Sequence, residues 1–197
     1  NDFLVRSKSN LVNVNVIDMK TEIVTEKSSE SLSVYNGNVL ASHEKDVWKV
    51  AAFDRISGSA KHTVAFLRNF GAEIGAFAST WSFHENDMIV IGSNEKDMTI
   101  AANHHAKTQG GMVVVNNGKI LSFMPLQMAG IVSTDNFEKV TENFENISQM
   151  LTDRGCKFKK PHLIPLFLPF LALPSIRILF SGLIDVKTRS FLKVVTG

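Results

Sequence analysis

A chain of 197 residues, 44% of them hydrophobic, can bury a sizeable core as one domain. Its 21 basic and 19 acidic residues leave a net charge of +2, too balanced for a nucleic-acid surface, which needs clustered Lys and Arg. The lone Cys156 excludes an internal disulfide and fits a reducing cytoplasm, and the polar opening Asn1-Asp2 carries no secretory pattern, so a cytoplasmic protein is expected.

Leu11 to Ile17 alternates apolar and polar residues, the pattern of a half-buried strand. Lys20 to Ser31 is polar and forms the weakest join in the chain. Asn36-Gly37, between Ser33-Val34-Tyr35 and Val39-Leu40, tolerates positive φ and predicts a tight hairpin. Val47 to Phe53 is a further strand, ending in the loop Asp54-Arg55-Ile56-Ser57-Gly58-Ser59. Thr63 to Phe70 is expected as a short helix closed by Gly71.

The most informative stretch runs from Ala78 to Asn94. Its polar centre, His84-Glu85-Asn86-Asp87, leads directly into Met88-Ile89-Val90-Ile91, a buried strand. Groups able to bond or titrate, held at the mouth of a core strand, are well placed for function. Asn94 caps a helix from Glu95 to about Thr108 whose apolar side is Met98, Ala101, Ala102 and His105, with Gly110-Gly111 as its stop. Asn117-Gly118 turns a second hairpin between Met112–Val115 and Ile120–Phe123. Asp135 to Leu151 is the strongest helix, with Phe137, Val140, Phe144, Ile147 and Leu151 in one stripe.

Leu163 to Leu173 is nearly all apolar, but Pro161, Pro165, Pro169 and Pro174 recur around it and remove backbone donors. It is expected as extended, buried chain rather than a membrane span. Ile176–Phe180 and Phe191–Val195 close the chain as strands. Hairpins, a mixed sheet and interleaved helices give an α+β (mixed α/β) domain in layers.

The residues alone assemble no complete active site. The histidines are His43, His62, His84, His104, His105 and His162, and none forms a His-x-His or His-Glu-x-x-His arrangement. His104 and His105 lie about 100° apart on their helix, with His105 expected as a satisfied histidine at the core edge. Ser57-Gly58-Ser59-Ala60-Lys61 lacks the spacing of a phosphate loop. Cys156 follows a helix end, where the dipole disfavours a thiolate.

Separate segments then carry a resemblance in one consistent order: Asp54-Arg55, Phe66-Leu67-Arg68-Asn69-Phe70-Gly71, Gly75 to Thr80, Ile89 to Met98, Gly110 to Lys119, Pro125 to Gly130, Leu171-Ala172-Leu173-Pro174 and Gly182 to Val186. From about Val12 to its end the chain resembles the C-terminal domain of adenine deaminases, metal-dependent amidohydrolases. The resemblance implies a longer protein, with a metal-bearing TIM barrel and a small β-sandwich ahead of this domain. It implies adenine plus water giving hypoxanthine and ammonia, with a metal-activated hydroxide attacking C6. The divalent metal (manganese, iron or zinc) is expected on the barrel, so this chain is expected to hold neither metal ligands nor catalytic residues and to be inactive alone.

The chain departs from the family pattern at its polar centre. Typical members carry Ala-His-Asp-Ser-His-Asn before an Ile-Val-Val-Gly strand, where this chain has Ser82-Phe83-His84-Glu85-Asn86-Asp87. The two family histidines fall on Phe83 and Asn86, and the family aspartate falls on His84. Charge is kept in altered form by His84, Glu85 and Asp87, which argues for altered specificity. Those three, with Arg55, are the expected substrate-binding residues. The expected partners are a purine base or related small molecule, the barrel of the same polypeptide, and further copies of itself in a homo-oligomer. The alternative is a packing or oligomerisation module that never touches substrate.

Overall fold

The structure, a computed structural model, describes residues 2–83 and 85–196. Its frame is a nine-stranded sheet built from β1 (Leu11–Met19), β2 (Thr25–Tyr35), β3 (Asn38–Val39), β4 (Val47–Phe53), β5 (His62–Arg68), β6 (Ala76–Ser79), β7 (Met88–Gly92), β8 (Gly111–Asn116) and β9 (Lys119–Pro125). The order across it is β3-β2-β1-β5-β4-β7-β6-β8-β9. All neighbours are antiparallel except β1 and β5. A three-stranded sheet follows, from β10 (Ile176–Leu179), β11 (Gly182–Asp185) and β12 (Ser190–Leu192).

The central strands bury both faces, so their sequences run apolar without alternation. On one face, Trp48, Val50, Leu67, Phe77, Ile89 and Val114 pack against Ile147 and Leu151 of helix α2 (Phe137–Thr152), the short helix α3 (Ile164–Phe167) and Ile176 and Ile178 of β10. On the other, Ala51, Ala76, Ala78, Val90, Val113 and Val115 receive Met98 and Ala101 of helix α1 (Glu95–Thr108). Small residues line this second face because α1 presses close. A Cβ on Gly92 would sit 2.3 Å from Met98 Cγ, and one on Gly75 would overlap the Asp97 carboxylate. Lys49, buried on the α1 side, is held by Phe3 O, Asn38 Oδ1 and Glu95 Oε1 at 3.0, 3.0 and 2.7 Å. It ties the amino-terminal segment and the first hairpin to the start of α1.

Both Asn-Gly turns form as expected, with positive φ at Asn36, Gly37, Asn117 and Gly118. The first hairpin closes one edge of the sheet and the second closes the other. Asn94 caps α1 by accepting the Asp97 N–H at 2.9 Å.

Three expectations are corrected. Thr63–Phe70 is not a helix but carries strand β5, which pairs with both β1 and β4. Its apolar residues Ala65, Phe66 and Leu67 are consecutive because both faces are covered. Lys20–Ser31 is largely strand β2, paired with β1 over nine residues. Its polar side chains are used rather than solvated loosely: Glu30 meets Lys45 and Arg68, and Lys27 meets Asp185. The proline-rich stretch is not extended. A 3-10 turn at Pro161–Leu163 passes into α3, and Pro161 and Pro165 sit in first turns, where no N–H donor is needed. Within the α2 stripe, Phe137 points outward, 79% exposed, and the helix starts at Phe137 behind the cap Asn136 rather than at Asp135. No helix among the described residues is long and apolar enough to cross a membrane.

Candidate functional site

Strand register gathers the site. β4 and β7 run antiparallel with Phe53 opposite Met88, so the residues just beyond Phe53 (Asp54, Arg55) lie beside the residue just before Met88 (Asp87). β6 ends at the same edge, with Ser79 opposite both Ile89 and Met112, and delivers Thr80 there. On either side of His84, side chains near Thr80 and Asp87 bond their own backbone. Ser79 Oγ accepts the Trp81 N–H at 3.0 Å, Ser82 Oγ accepts the Asn86 N–H at 2.9 Å, and Asn86 adopts φ +57°.

Arg55 and Asp87 therefore come together, the Glu85 carboxylate lies close enough to act on Asp87, and His84 lies outside the described residues. Asp87 is 2% exposed, and Oδ2 accepts the Phe180 N–H at 2.8 Å. Burial pushes its carboxyl up to about 6. The Asp54 and Glu85 carboxylates add to the rise, while the Phe180 N–H and Arg55 oppose it. Near neutral pH this group can thus hold or release a proton. Glu85 Oε1 accepts the Leu171 N–H at 3.4 Å, and the neighbouring Phe83, 43% exposed, packs on Phe167 and Phe170.

Arg55 is fixed by donating to Ala129 O at 2.7 Å and to Thr80 O at 3.4 Å. Burial lowers its pKa and Asp87 raises it. Gly130, with φ +71°, makes this placement possible, since a Cβ there would lie 2.4 Å from Arg55 Nη2. Thr80 Oγ1 locks the same corner by donating to Gly130 O at 2.6 Å and accepting the Gly111 N–H at 2.8 Å.

The Ser/Gly loop serves this corner too. Ser57 and Ser59 donate their hydroxyls to Asp54, and the Ile56 and Ser57 N–H groups add bonds at 3.0 Å. The Ser57 and Ser59 hydroxyls hold Asp54 well below the usual carboxylate range. One carboxylate is thereby fixed as an anion and its neighbour Asp87 is left near neutrality. Groups in one place whose environments push their pKa values apart are a recurrent feature of working sites.

A cavity of about 300 Å³ opens beside the cluster, lined among others by Phe53, Asp54, Arg55, Thr80, Met88 and His105. The sequence reading missed Asp54, Thr80 and the cavity wall. Asp54 stands next to Arg55 in the chain, but Thr80 and His105 arrive only through the sheet register and α1. His105 is buried against the sheet, with the Ala78 carbonyl beside its ring. Among the described residues no three His, Cys, Asp or Glu side chains could hold a metal ion, so these residues do not fit the divalent metal that the resemblance implies.

The sequence model of the adenine deaminase C-terminal domain matches residues 22–190. An adenine deaminase of Cenarchaeum symbiosum is 55% identical over 196 residues, covering 100% of this chain and 32% of that protein. Adenine deaminases of Brucella abortus and Moorella thermoacetica are 33% and 30% identical over 187 residues, covering 94% of this chain and 32% and 31% of theirs. The chain thus spans about a third of the length of these relatives.

Proposed function

Because the chain belongs to the adenine deaminase C-terminal domain family, we propose that it serves a purine-deaminating hydrolase by presenting Arg55, Glu85 and Asp87 to the base. In this reading it forms one folding unit of a longer polypeptide. The divalent ion (manganese, iron or zinc) is held by the amidohydrolase barrel, and the reaction is adenine plus water to hypoxanthine plus ammonia. The observation that carries it is the convergence of Arg55, Glu85 and Asp87 at one sheet edge, with Asp87 titrating near neutrality.

What these side chains can do follows from their chemistry. Arg55, pinned through two of its N–H groups, presents a fixed cationic plane that orients an electron-rich ring. Protonated Asp87 is a hydrogen-bond donor and ionised Asp87 an acceptor, so it can take up or deliver a proton to a ring nitrogen or leaving amine. Phe83 and the exposed Ile56, Met128 and Val132 add apolar surface, suited to covering the site against a neighbouring domain. That same surface suits self-association, and a homo-oligomer is part of the proposal. It also supports the rival reading of a packing module.

Single Glu85→Gln and His84→Ala replacements in the full-length protein separate the two. The proposal expects kcat/KM for adenine to fall with the solution size unchanged. A change of size with kcat/KM intact favours the packing module.

A further inference from the structure

A second cavity, of about 670 Å³, lies between α2 and the segment that leads into α3, with Trp81 in its wall. Its volume is within the range of small-molecule sites, roughly 300–1,000 Å³. Neither Arg55, Glu85 nor Asp87 lines it, so its occupant is independent of the functional reading above. One wall is aromatic. The ring of Phe144 meets Trp81 at 4.9 Å and His162 at 4.9 Å, and Trp81 and His162 lie 6.4 Å apart and 29° from parallel. All three residues are half-buried rather than sealed in the core. Flat rings at the edge of a cavity offer a stacking face to another ring.

Beside the rings stands a polar pair. Ser148, 9% exposed on α2, has its Oγ hydrogen-bonded to His162 Nδ1. Burial holds the His162 ring down at about 4, Lys160 pushes the same way, and Glu22 opposes. At neutral pH the imidazole therefore carries one N–H and the serine one O–H. Their mutual bond uses one of these hydrogens, whichever tautomer is present, and leaves the other to be donated. Lys159 and Lys160 line the same cavity, both exposed, and among the described residues neither joins an ion pair. Two ammonium groups and a spare donor suit a phosphate, which brings nearly two negative charges and three acceptor oxygens. Glu145 and Asn146, also in the wall, add acceptors for hydroxyl groups.

We propose that this cavity binds a nucleoside monophosphate. The ring lies on Trp81 and Phe144, the phosphate takes Lys159, Lys160 and the Ser148–His162 donor, and the sugar hydroxyls meet Glu145 and Asn146. A flat ring, a dianion and hydroxyl groups in one small molecule use every wall of the cavity, whereas a bare anion leaves the rings idle and a bare ring leaves the lysines idle.

The test is isothermal titration of the full-length protein with uridine 5′-monophosphate, beside uridine and inorganic phosphate as its separate halves. Stacking tolerates every base, so a pyrimidine nucleotide serves as the probe and leaves a purine site unoccupied. The proposal predicts saturable binding of the nucleotide, about tenfold or more tighter than either half. Lys160→Ala and Phe144→Leu are each predicted to weaken it about tenfold. Absence of saturation overturns the proposal, as does uridine or phosphate binding as tightly as the nucleotide. Unchanged binding by either variant places the nucleotide elsewhere and overturns it too. Lys160 is exposed, so its replacement leaves the core intact. Should Phe144→Leu fail to fold, Lys160→Ala and the two half-ligands decide.

Discussion

Asp87→Asn isolates the electrostatics of the site. Asp87 accepts a hydrogen bond from the Phe180 N–H and sits 2% exposed between carboxylates and Arg55. Its folded-state value of about 6 stands above the ordinary 3.8. The folded chain therefore binds this proton more tightly than the unfolded chain. Stability from this group is highest at low pH, falls as pH rises through the window from about 4 to 6, and stays low above it. At about 1.4 kcal/mol per pH unit, two units of difference amount to roughly 3 kcal/mol of penalty at pH 8. Asparagine keeps the Oδ1 acceptor for Phe180 and replaces the charged oxygen by a neutral amide. Urea denaturation of the two chains at several pH values is the assay. The variant should be more stable by about 1–3 kcal/mol at pH 8, with the gap shrinking towards zero near pH 4. A gap that does not change with pH, or a loss of stability at pH 8, would refute the account of Asp87.

Gly130→Ala forces a side chain onto positive φ and into Arg55, so it should cost about 2–4 kcal/mol by chemical denaturation and release the Arg55 contacts with Thr80 and Ala129. Phe77→Ala empties the centre of the sheet face under α2 and should destabilise by about 3–5 kcal/mol, read from the urea midpoint. Cys156 is 5% exposed with its thiol pushed up to about 11 by burial, so a thiol reagent at neutral pH should label it only as fast as the chain unfolds. With the divalent ion on the barrel, as proposed, the chain alone given adenine and a divalent metal should release no ammonia, read by an ammonia assay, and release of ammonia would place the reaction on this domain.

The fold was legible where local chemistry decides it. The Asn-Gly turns, the Asn94 cap and the amphipathic stripe of α2 each need only a few neighbouring residues. The error at β5 has one cause: Thr63–Arg68 is covered on both faces, and a continuous apolar run looks alike in a buried strand and a buried helix. Of β2 only its end at Ser33–Tyr35 was expected; the rest was missed because its stability comes from partners elsewhere, through Lys45, Arg68 and Asp185. At the site, Glu85 and Asp87 stood out as polar groups beside a core strand and Arg55 through the family resemblance, and the pairing of β4 with β7 sets Arg55 beside Asp87. Thr80 and His105 could not be found that way. Thr80 matters through bonds to Gly111 and Gly130, distant in sequence, and His105 reaches the cavity wall only through the docking of α1 on the sheet.

The central claim is that this domain contacts the base on which the longer protein acts. Steady-state kinetics of the full-length protein carrying Arg55→Met, with adenine as substrate, tests it most directly. The account predicts kcat/KM reduced by about 100-fold or more, equivalent to roughly 3 kcal/mol of lost transition-state stabilisation, in a protein that stays folded after losing about 1–3 kcal/mol with the Arg55 bonds to Thr80 O and Ala129 O. Kinetics indistinguishable from those of the unaltered protein would contradict it.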